Sequence, residues 1–349
     1  MLAKVALHSI LLRKDHRGTH HKLETNMRTQ LIISLAAGVL SLLGTTPALA
    51  QAWPEKTITI VVATAAGGAN DAMARIIAQG LSTRLGKSVI VENKAGANGA
   101  IASEFVARAA PDGYTIMFGY IATHGINPAL QKLKYDPVTD FEPIGMVAAS
   151  PTLLVAHNAV PVKNAKELMA LVKAKPGTFS YATAGNGTAP HIAGELFKLS
   201  AGLDVVSIPY KGSAPAVLDT ISGTTQYMFP SLFTAFPHVK NGKLKALGIA
   251  GDKRSSVMPD VPTLTEQGIA NVNMSQWYAM FAPAKTPKAV IERLNREMNS
   301  VLTDKAVEKK IEDQGAEVET STPEYLKAFV QKEVTHWKQV VTAAKIKAE

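Results

Sequence analysis

Three short loops concentrate the groups that could bind a small anion. Each loop follows an apolar stretch and combines glycine or alanine with polar side chains. Backbone amides and neutral polar side chains of these types hydrogen-bond carboxylate or phosphate oxygens. The candidate ligand-binding residues are Thr64, Ala65, Gly67, Gly68, Ala69, Asn70 and Asp71 in the first loop, Tyr120, Thr123, His124 and Asn127 in the second, and Ala184, Gly185, Asn186, Gly187, Thr188 and His191 in the third.

The first loop lies between a predicted strand over 57–62 and a predicted helix. The strand is an unbroken run of β-branched residues, which is typical of a buried parallel strand. Gly67 and Gly68 allow the backbone to approach a ligand closely, and Asn70 or Asp71 can cap the helix. Free amides at the helix N-terminus favour an anion. An ordinary strand-to-helix connection without a ligand is the alternative.

The second and third loops also allow other interpretations. For the second loop the sequence slightly favours a structural interpretation, in which His124 is a structural histidine and Asn127 with Pro128 caps a short helix beginning near Ala129. The third loop contains Gly-Asn-Gly, which resembles part of a dinucleotide fingerprint, but Pro190 occupies the expected third glycine position and no ribose-binding acid is evident. The sequence therefore argues against nucleotide binding here and leaves a second anion-binding loop.

Strands and helices alternate along the chain, and this order is typical of an α/β fold with a parallel sheet. Short strands are predicted over 88–91 and 114–118, with a glycine-rich loop at 93–99 and a helix at about 101–108 between them. In such sheets, ligands bind beyond the carboxyl ends of the strands. We therefore expect the three loops to face one crevice.

Composition and motifs exclude several classes of protein. The chain has 37 Lys and Arg against 28 Asp and Glu, without a basic stripe interleaved with aromatics, so nucleic-acid binding is not indicated. There is no cysteine, and a hydrophobic content of 46% is sufficient for a core without disulfides. Walker, nucleophile-elbow and His-Glu-x-x-His motifs are absent. No cofactor or metal is expected, because His191 and Glu195 alone do not make a metal site.

The N-terminal part of the chain has the pattern of an export signal. Arg28 precedes a short apolar run over 31–43, and Ala-Leu-Ala ending at Ala50 supplies the small residues of a cleavage site. We expect a signal peptide over 27–50, cleaved after Ala50, and therefore an exported protein. Residues 1–26 are interpreted as an over-long gene start.

No arginine occurs between Arg108 and Arg254. A guanidinium that binds a carboxylate through two hydrogen bonds is the usual clamp for such a ligand. Anion binding in the middle of the chain is therefore expected to use backbone amides, hydroxyls and water.

A series of short motifs is distributed over residues 53–346. The motifs are Trp53-Pro54, Gly67-Gly68-x-x-Asp71, Val91-Glu92-Asn93-Lys94-x-Gly96-Ala97, Ala110-Pro111-Asp112-Gly113-Tyr114-Thr115, Thr123-His124-x-x-Asn127-Pro128-Ala129-Leu130, Tyr135-Asp136-Pro137-x-x-Asp140-Phe141, Gly185-Asn186-Gly187-Thr188, Pro209-Tyr210-Lys211-Gly212, Pro259-Asp260-Val261-Pro262-Thr263 and Gln314-Gly315-Ala316-Glu317. In this order the motifs resemble those of the periplasmic Bug-type solute-binding proteins of tripartite tricarboxylate transporters.

The resemblance implies a periplasmic-binding-protein type II fold, in which two lobes each have a central β-sheet flanked by helices. The lobes would be joined by a hinge of two chain crossings. The implied function is that of a monomeric binding protein, not an enzyme, that closes on a small carboxylate and delivers it to a separate membrane permease. The first loop would hold a carboxylate through backbone amides and bridging water, and Tyr210, Pro230 and Ser231 would line the far wall.

The same resemblance and the chain order give lobe boundaries. We expect lobe 1 to comprise 51–152 and 274–349, and lobe 2 to comprise 153–273. Predicted helices over 288–302 and 323–344 would complete lobe 1. Their expected core positions are Val290, Leu294, Met298 and Val301 in the first helix and Leu326, Val330, Val334 and Trp337 in the second.

Two departures from the family pattern bear on the ligand. Ala65-Ala66 replaces the proline that usually precedes the paired glycines, and Pro230-Ser231 replaces an Asp-Asn pair. Loss of that acid weakens any argument for a ligand amine. A dicarboxylate or an aromatic carboxylate is therefore favoured over an amino acid.

Two alternatives from other classes remain at this stage. A binding protein of this kind could signal to a membrane sensor instead of a permease. Alternatively, an exported enzyme acting on a small carboxylate could use His124 or His191 as its base. The three convergent loops and the missing catalytic motifs favour the transport-associated binding protein.

Overall fold

The computed structural model describes residues 53–347, so the predicted signal peptide and its cleavage site lie outside the described residues. The strands in this range are β1 (Ile58–Val62), β2 (Val89–Asn93), β3 (Thr115–Tyr120), β4 (Phe141–His157), β5 (Ser180–Thr183), β6 (Val206–Pro209), β7 (Tyr227–Met228), β8 (Leu244–Ala250), β9 (Ser275–Pro283) and β10 (Glu317–Val318). The helices are α1 (Ala69–Leu85), α2 (Ala100–Ala107), α3 (Asn127–Leu130), α4 (Ala165–Ala174), α5 (Ala189–Ala201), α6 (Ser213–Ser222), α7 (Leu232–Lys240), α8 (Lys288–Leu302), α9 (Lys305–Glu312) and α10 (Pro323–Ala343). None of these helices combines the length and apolar character that crossing a membrane requires.

One half of the mixed sheet contains β2, β1, β3 and β9 in that order, followed by the first part of β4. Strand β1 is parallel to both β2 and β3, whereas β9 is antiparallel to β3 and to β4. Ile58, Ile60 and Val62 of β1 are fully buried. The parallel pairing and this burial explain the unbroken β-branched run in the sequence.

The other half of the sheet contains the end of β4, then β7, β5 and β6, with β8 also paired to β4. Strand β5 is parallel to β6 and β7. The partner of β4 changes from β9, which pairs as far as Pro151, to β8, which pairs from Thr152. The predicted lobe boundary between 152 and 153 lies next to this change, and the division into lobes stays a prediction.

The helices cover both halves of the sheet and largely follow the predicted bounds. Helix α8 occupies the predicted residues, and α10 ends one residue earlier than expected. Val290 and Val334 are only half-buried, whereas the other expected core positions of these helices are buried. Helices α1 and α8 approach closely, because a Cβ placed on Gly80 would lie 2.5 Å from a methyl carbon of Val301.

Candidate ligand-binding cleft

A cavity of about 550 Å³, called the cleft below, lies where loops from both halves of the sheet meet. All three predicted loops contribute to its wall, as expected for loops at the carboxyl ends of parallel strands. The predicted residues on the wall are Thr64, Ala65, Gly68, Ala69, Asn70, Tyr120, Asn127, Ala184, Gly185, Asn186, Gly187, Thr188, Tyr210 and Ser231. The structure therefore brings most of the candidate residues together around one space.

Six candidate residues do not lie on this wall: Gly67, Asp71, Thr123, His124, His191 and Pro230. Asp71 does not cap helix α1 but reaches back to the turn. Its Oδ2 accepts a hydrogen bond from the amide of Gly67 at 3.0 Å, and its Oδ1 accepts one from Arg75 Nε at 3.0 Å. The Gly67 amide, expected to bind the ligand, therefore holds the turn in place.

The carboxyl group of Asp71 is ionised in this arrangement. Burial acts to raise its pKa, but hydrogen bonds from Arg75, the Gly67 amide and Asn93 lower the pKa below its ordinary value. An ion pair of 2.9 Å with Arg75 adds to this effect. Asp71 thus supports the first loop from outside the cleft.

His124 is a structural histidine rather than a group on the cleft wall. It is completely buried in a π-helical turn over Ala122–Ile126. Its ring stacks on Phe281 at 3.8 Å between centroids, and its Nδ1 is 2.9 Å from the hydroxyl of Thr123. Desolvation lowers the pKa of His124 to about 3, so the ring is neutral. His124 is therefore not a candidate ligand contact. A histidine with so low a pKa is also a poor general base at neutral pH, which argues against the alternative that the protein is an enzyme using this residue.

The other residues set back from the wall also have structural partners. The hydroxyl of Thr123 donates to the carbonyl of Tyr120 at 3.0 Å. His191 Nδ1 accepts the amide hydrogen of Gly187 at 3.1 Å, and the Pro230 carbonyl accepts that of Leu153 at 2.9 Å. These hydrogen bonds fix the shape of the loops, so these residues support the cleft from behind.

Glu195 is not available to form a metal site with His191. Its Oε1 accepts a hydrogen bond of 2.7 Å from the hydroxyl of Tyr181. Across residues 53–347, no group of three or more His, Asp and Glu side chains is arranged to hold a metal ion. The cleft wall offers amides and hydroxyls, which suit an organic anion better than a metal.

The N-terminal ends of helices α1, α5, α6 and α7 all reach the cleft. Their residues on the wall are Gly68, Ala69 and Asn70 of α1, Thr188, Ala189 and Pro190 of α5, Gly212 and Ser213 of α6, and Ser231 of α7. Helices α1, α5 and α6 have no side-chain cap, whereas the Ser231 hydroxyl accepts the Thr234 amide. The uncapped ends carry N–H groups without intrahelical acceptors and a partial positive charge, so they favour an anion.

The charged side chains around the cleft agree with this polarity. Lys211 lies on the wall, whereas no acidic side chain and no arginine of the described part of the chain does. That anion binding uses amides, hydroxyls and water instead of arginine stays a prediction. A carboxylate entering the cleft would meet one cation, several helix ends and no like charge.

Two polar atoms of the first loop, Thr64 Oγ1 and Asn70 Nδ2, are buried without a hydrogen-bond partner among residues 53–347. Buried donors and acceptors without partners cost free energy, so such groups at a cleft wall indicate a bound partner. Both atoms belong to residues on the wall.

A fourth loop, over 95–99, forms part of the wall and was not predicted to do so. Asn98 has a left-handed backbone with φ of 52°, which is uncommon outside glycine. Its Nδ2 donates to Asn127 Oδ1 at 2.7 Å, and Asn127 Nδ2 donates back to the carbonyl of Asn98 at 3.0 Å. Asn127 therefore braces this loop and does not cap α3. The sequence did contain a signal for this contribution, because a glycine-rich loop directly after a parallel strand lies at the edge of the sheet where ligands bind.

The floor of the cleft contains Gln276 and Tyr278 of β9, which sequence reasoning did not include in the site. Residues two apart on a strand point to the same face, so both side chains are directed at the cleft. Both are buried, at 7% and 0% exposure. Sequence reasoning missed them, because the sequence of a strand buried on both faces does not show which face meets a cavity.

The fold and the cleft together define a binding receptor for a small organic anion, with the fold of a periplasmic binding protein. Residues 73–346 match the family described as tripartite tricarboxylate transporter family receptor, and the chain belongs to that family. The family and the similar proteins are binding receptors and not enzymes.

Three similar proteins have informative names. Protein BugT of Bordetella pertussis is 35% identical over 306 residues, which cover 86% of this chain and 94% of BugT. The structure of R. palustris Rpa4515 with adipate has a TM-score of 0.82 and 31% identity, covering 84% of this chain and 99% of that one. The structure of MatC from Rhodopseudomonas palustris with bound malate has a TM-score of 0.79 and 35% identity, covering 83% and 100% of the two chains.

Proposed function

We propose that this protein is a periplasmic solute-binding protein that captures a small dicarboxylate and delivers it to a tripartite tricarboxylate transporter permease. The observation that supports this most directly is the convergence of the uncapped ends of α1, α5 and α6 on one cleft. Each such end stabilises an anion by about 0.3–1 kcal/mol when exposed, and by more when partly buried. Lys211 adds a full positive charge at the same wall.

A ligand with two carboxylates fits the distribution of these helix ends. Helix α1 belongs to the half of the sheet around β1, whereas α5 and α6 belong to the half around β5. One carboxylate can meet the end of α1 with Thr64 and Asn70, and the other can meet α5, α6 and Lys211. Relatives of 31% and 35% identity were solved with adipate and malate, both dicarboxylates. An aromatic carboxylate is the second ligand class to test.

Such a ligand would also drive closure of the cleft. A ligand shifts a two-state equilibrium only by its difference in affinity for the two states. A dicarboxylate that binds both halves of the sheet has this difference, because the second set of contacts exists only when the halves approach.

The first test is a binding screen on the purified protein. Thermal-shift assays with mono-, di- and tricarboxylates, aromatic acids and amino acids are followed by titration calorimetry on each hit. A ligand that binds only the folded state raises the melting temperature. We expect dicarboxylates to give the largest shifts and to be recovered unchanged by mass spectrometry. Recovery of an altered product, or binding of amino acids alone, would contradict the proposal.

A paired variant tests the charge at the wall. Lys211→Gln is expected to lower the affinity for every dicarboxylate severalfold. The loss should be smaller at high salt, because screening already reduces the attraction between Lys211 and the ligand. Lys338→Gln, an exposed site on α10, is the control and should leave affinity unchanged.

Location and partner are tested in cells. Fractionation followed by mass spectrometry of the mature N-terminus checks export and cleavage after Ala50. Uptake of the identified dicarboxylate should be lost on deletion of the gene and restored by the protein only when the permease is present. Intact uptake with a lost transcriptional response would point to a sensor instead.

A further inference from the structure

The floor of the cleft carries neutral hydrogen-bonding groups that the two carboxylates of the proposed ligand do not account for. Tyr278 is completely buried, and its hydroxyl has no hydrogen-bond partner in the described range. The helix ends and Lys211 lie on other parts of the wall. An unpaired hydroxyl at the closed end of a binding cleft indicates a polar group on the ligand itself.

Tyr278 is one of three neighbouring polar groups on adjacent strands. Tyr120 of β3 is the direct cross-strand partner of Tyr278, and both side chains lie on the cleft wall. Gln276 follows on the same face of β9. The hydroxyl of Tyr120 is 3.4 Å from Asn98 Oδ1, a long hydrogen bond that leaves it able to interact with a ligand.

Gln276 offers an acceptor on the same face of β9 as Tyr278. Its Nε2 donates to Thr152 Oγ1 at 3.3 Å. The other amide atom, Oε1, receives no hydrogen bond from residues 53–347 and belongs to a side chain on the wall. The amide is thus anchored to β4 by its nitrogen, and its oxygen remains for the ligand.

The three groups carry no negative charge at neutral pH. Burial raises the pKa of Tyr278 to about 12, and the Ser231 hydroxyl, which is close to that of Tyr278 but outside hydrogen-bond geometry, acts in the opposite direction. Burial likewise raises the pKa of Tyr120. Two adjacent strands therefore bring hydroxyl donors and an amide oxygen to the same wall of the cleft. A carboxylate would be repelled by that oxygen, whereas a ligand hydroxyl can both accept from Tyr278 and donate to Gln276.

We infer that Tyr278, with Gln276, recognises a hydroxyl group between the carboxylates of the ligand, so that this receptor selects 2-hydroxydicarboxylates over unsubstituted dicarboxylates of the same length. This inference rests on the proposed function and specifies its ligand class. It assigns Tyr278 as a specificity-determining residue.

Titration calorimetry on the full protein tests the inference with matched ligand pairs. The pairs are succinate with malate and glutarate with 2-hydroxyglutarate, each hydroxy acid as separate enantiomers. In the wild type, the preferred enantiomer should bind about tenfold more tightly than its unsubstituted counterpart, which is the effect of roughly one net hydrogen bond. Tyr278→Phe should remove most of this difference, because the hydroxy acid loses affinity relative to its unsubstituted counterpart.

Tyr227→Phe is the matched control, because the Tyr227 hydroxyl is also buried without a hydrogen-bond partner among residues 53–347 but Tyr227 is not on the cleft wall. This variant should retain the preference for the hydroxy acid. Equal affinity of both acids for the wild type, or a preference that survives in Tyr278→Phe, would overturn the inference while leaving dicarboxylate binding intact. Failure of every dicarboxylate to bind would overturn the proposed function and the inference together.

Discussion

Asp71 acts on the cleft through the backbone of the first loop. Replacing it with alanine removes the acceptor that holds the Gly67 amide and the partner of Arg75. We expect Asp71→Ala to weaken dicarboxylate binding at least tenfold, as measured by calorimetry, because the turn that positions Gly68, Ala69 and Asn70 loses its internal hydrogen bond.

The direction of the change in affinity distinguishes a disturbed loop geometry from a simple electrostatic effect of the lost charge. Removing a negative charge near an anion site should by itself strengthen binding. A loss of affinity in Asp71→Ala therefore indicates a positional role. Unchanged or improved affinity, with an unaltered unfolding transition, would show that Asp71 is not needed for the loop.

His124 makes the stability of the folded protein depend on pH. Its pKa is lowered to about 3 in the folded state, whereas an unfolded histidine has a pKa near 6.5. Protons therefore bind preferentially to the unfolded chain, and the stabilisation present above pH 6.5 is lost as the pH falls toward 3. One proton corresponds to about 1.4 kcal/mol per pH unit, so this residue lowers the free energy of unfolding by about 2 kcal/mol between pH 6.5 and 5.

Urea unfolding at several pH values checks this prediction. His124→Gln should reduce the slope of stability against pH in this window, whatever its effect on stability at pH 7. His336→Gln changes an exposed histidine on α10 and should keep the slope of the wild type. A slope that is the same in all three proteins would contradict the role assigned to His124.

At the scale of single residues, the sequence indicated which groups are polar but not which of them are already paired. Gly67 and Asp71 both belong to a glycine turn at a helix start, and only the structure shows that they bind each other. Asn98 was missed because its left-handed backbone and its reciprocal contact with Asn127 join residues 29 positions apart. Hydrogen bonds over such separations leave no local pattern.

The secondary-structure elements were more predictable than their side-chain partners. Helix α8 was predicted with its observed bounds because its apolar residues recur at helical spacing between polar ones. The loops after β1, β3 and β5 were assigned to one crevice from strand polarity alone, and all three reach the cleft. The contribution of Gln276 and Tyr278 of β9 to the cleft was not predicted, because a strand buried on both faces lacks the alternation of polar and apolar residues that would distinguish its two faces.

The uncapped helix ends predict opposite effects of one substitution on stability and affinity. Ser213→Asp places a carboxylate on the first turn of α6, where it interacts favourably with the helix dipole. We expect the melting temperature without ligand to rise and dicarboxylate affinity to fall more than tenfold, because the new carboxylate competes for the same amides and repels the ligand.

Ser213→Asn is the neutral control for this substitution. It has nearly the same size and can cap the helix but carries no charge, so its effect on affinity should be much smaller than that of the aspartate. Equal losses in the two variants would mean that the side chain obstructs the cleft rather than competes with an anion.

At the scale of the whole molecule, the two halves of the sheet meet across Gly187. This residue follows β5, and a Cβ added to it would lie 2.8 Å from Leu130 Cδ1 and 3.0 Å from Asn98 Nδ2, both after strands of the other half. β4 connects the halves at Pro151 and Thr152, and β9 returns beside it. If the halves approach on ligand binding, as proposed, a side chain at position 187 would stand in the way.

Gly187→Ala is expected to hinder this approach. The methyl group would keep the halves apart, so dicarboxylate affinity should fall and small-angle scattering should show less compaction on ligand addition than in the wild type. Alanine, like glycine, must adopt φ of 76° at position 187, and this conformation is strained for alanine. The effect of this backbone strain therefore has to be separated from the effect of the methyl group's contact with the other half of the sheet.

Gly177→Ala provides that separation. Gly177 has φ of 70°, close to that of Gly187, but no heavy atom lies within 4 Å of an added Cβ. This control should lose a similar amount of stability while keeping affinity and compaction. If both variants bind normally, the contact at Gly187 does not limit closure.

The lining of the cleft also determines how the receptor responds to acidity. Its three tyrosines have pKa values raised by burial, and neither a histidine nor a carboxylate side chain from residues 53–347 lies on the wall. Capture of a dianion by amide dipoles therefore requires no proton to be taken up or released by these groups. An effect of acidity on affinity is therefore expected from the ligand's own carboxyl groups and, once Asp71 is protonated, from loss of the carboxylate that holds the first loop.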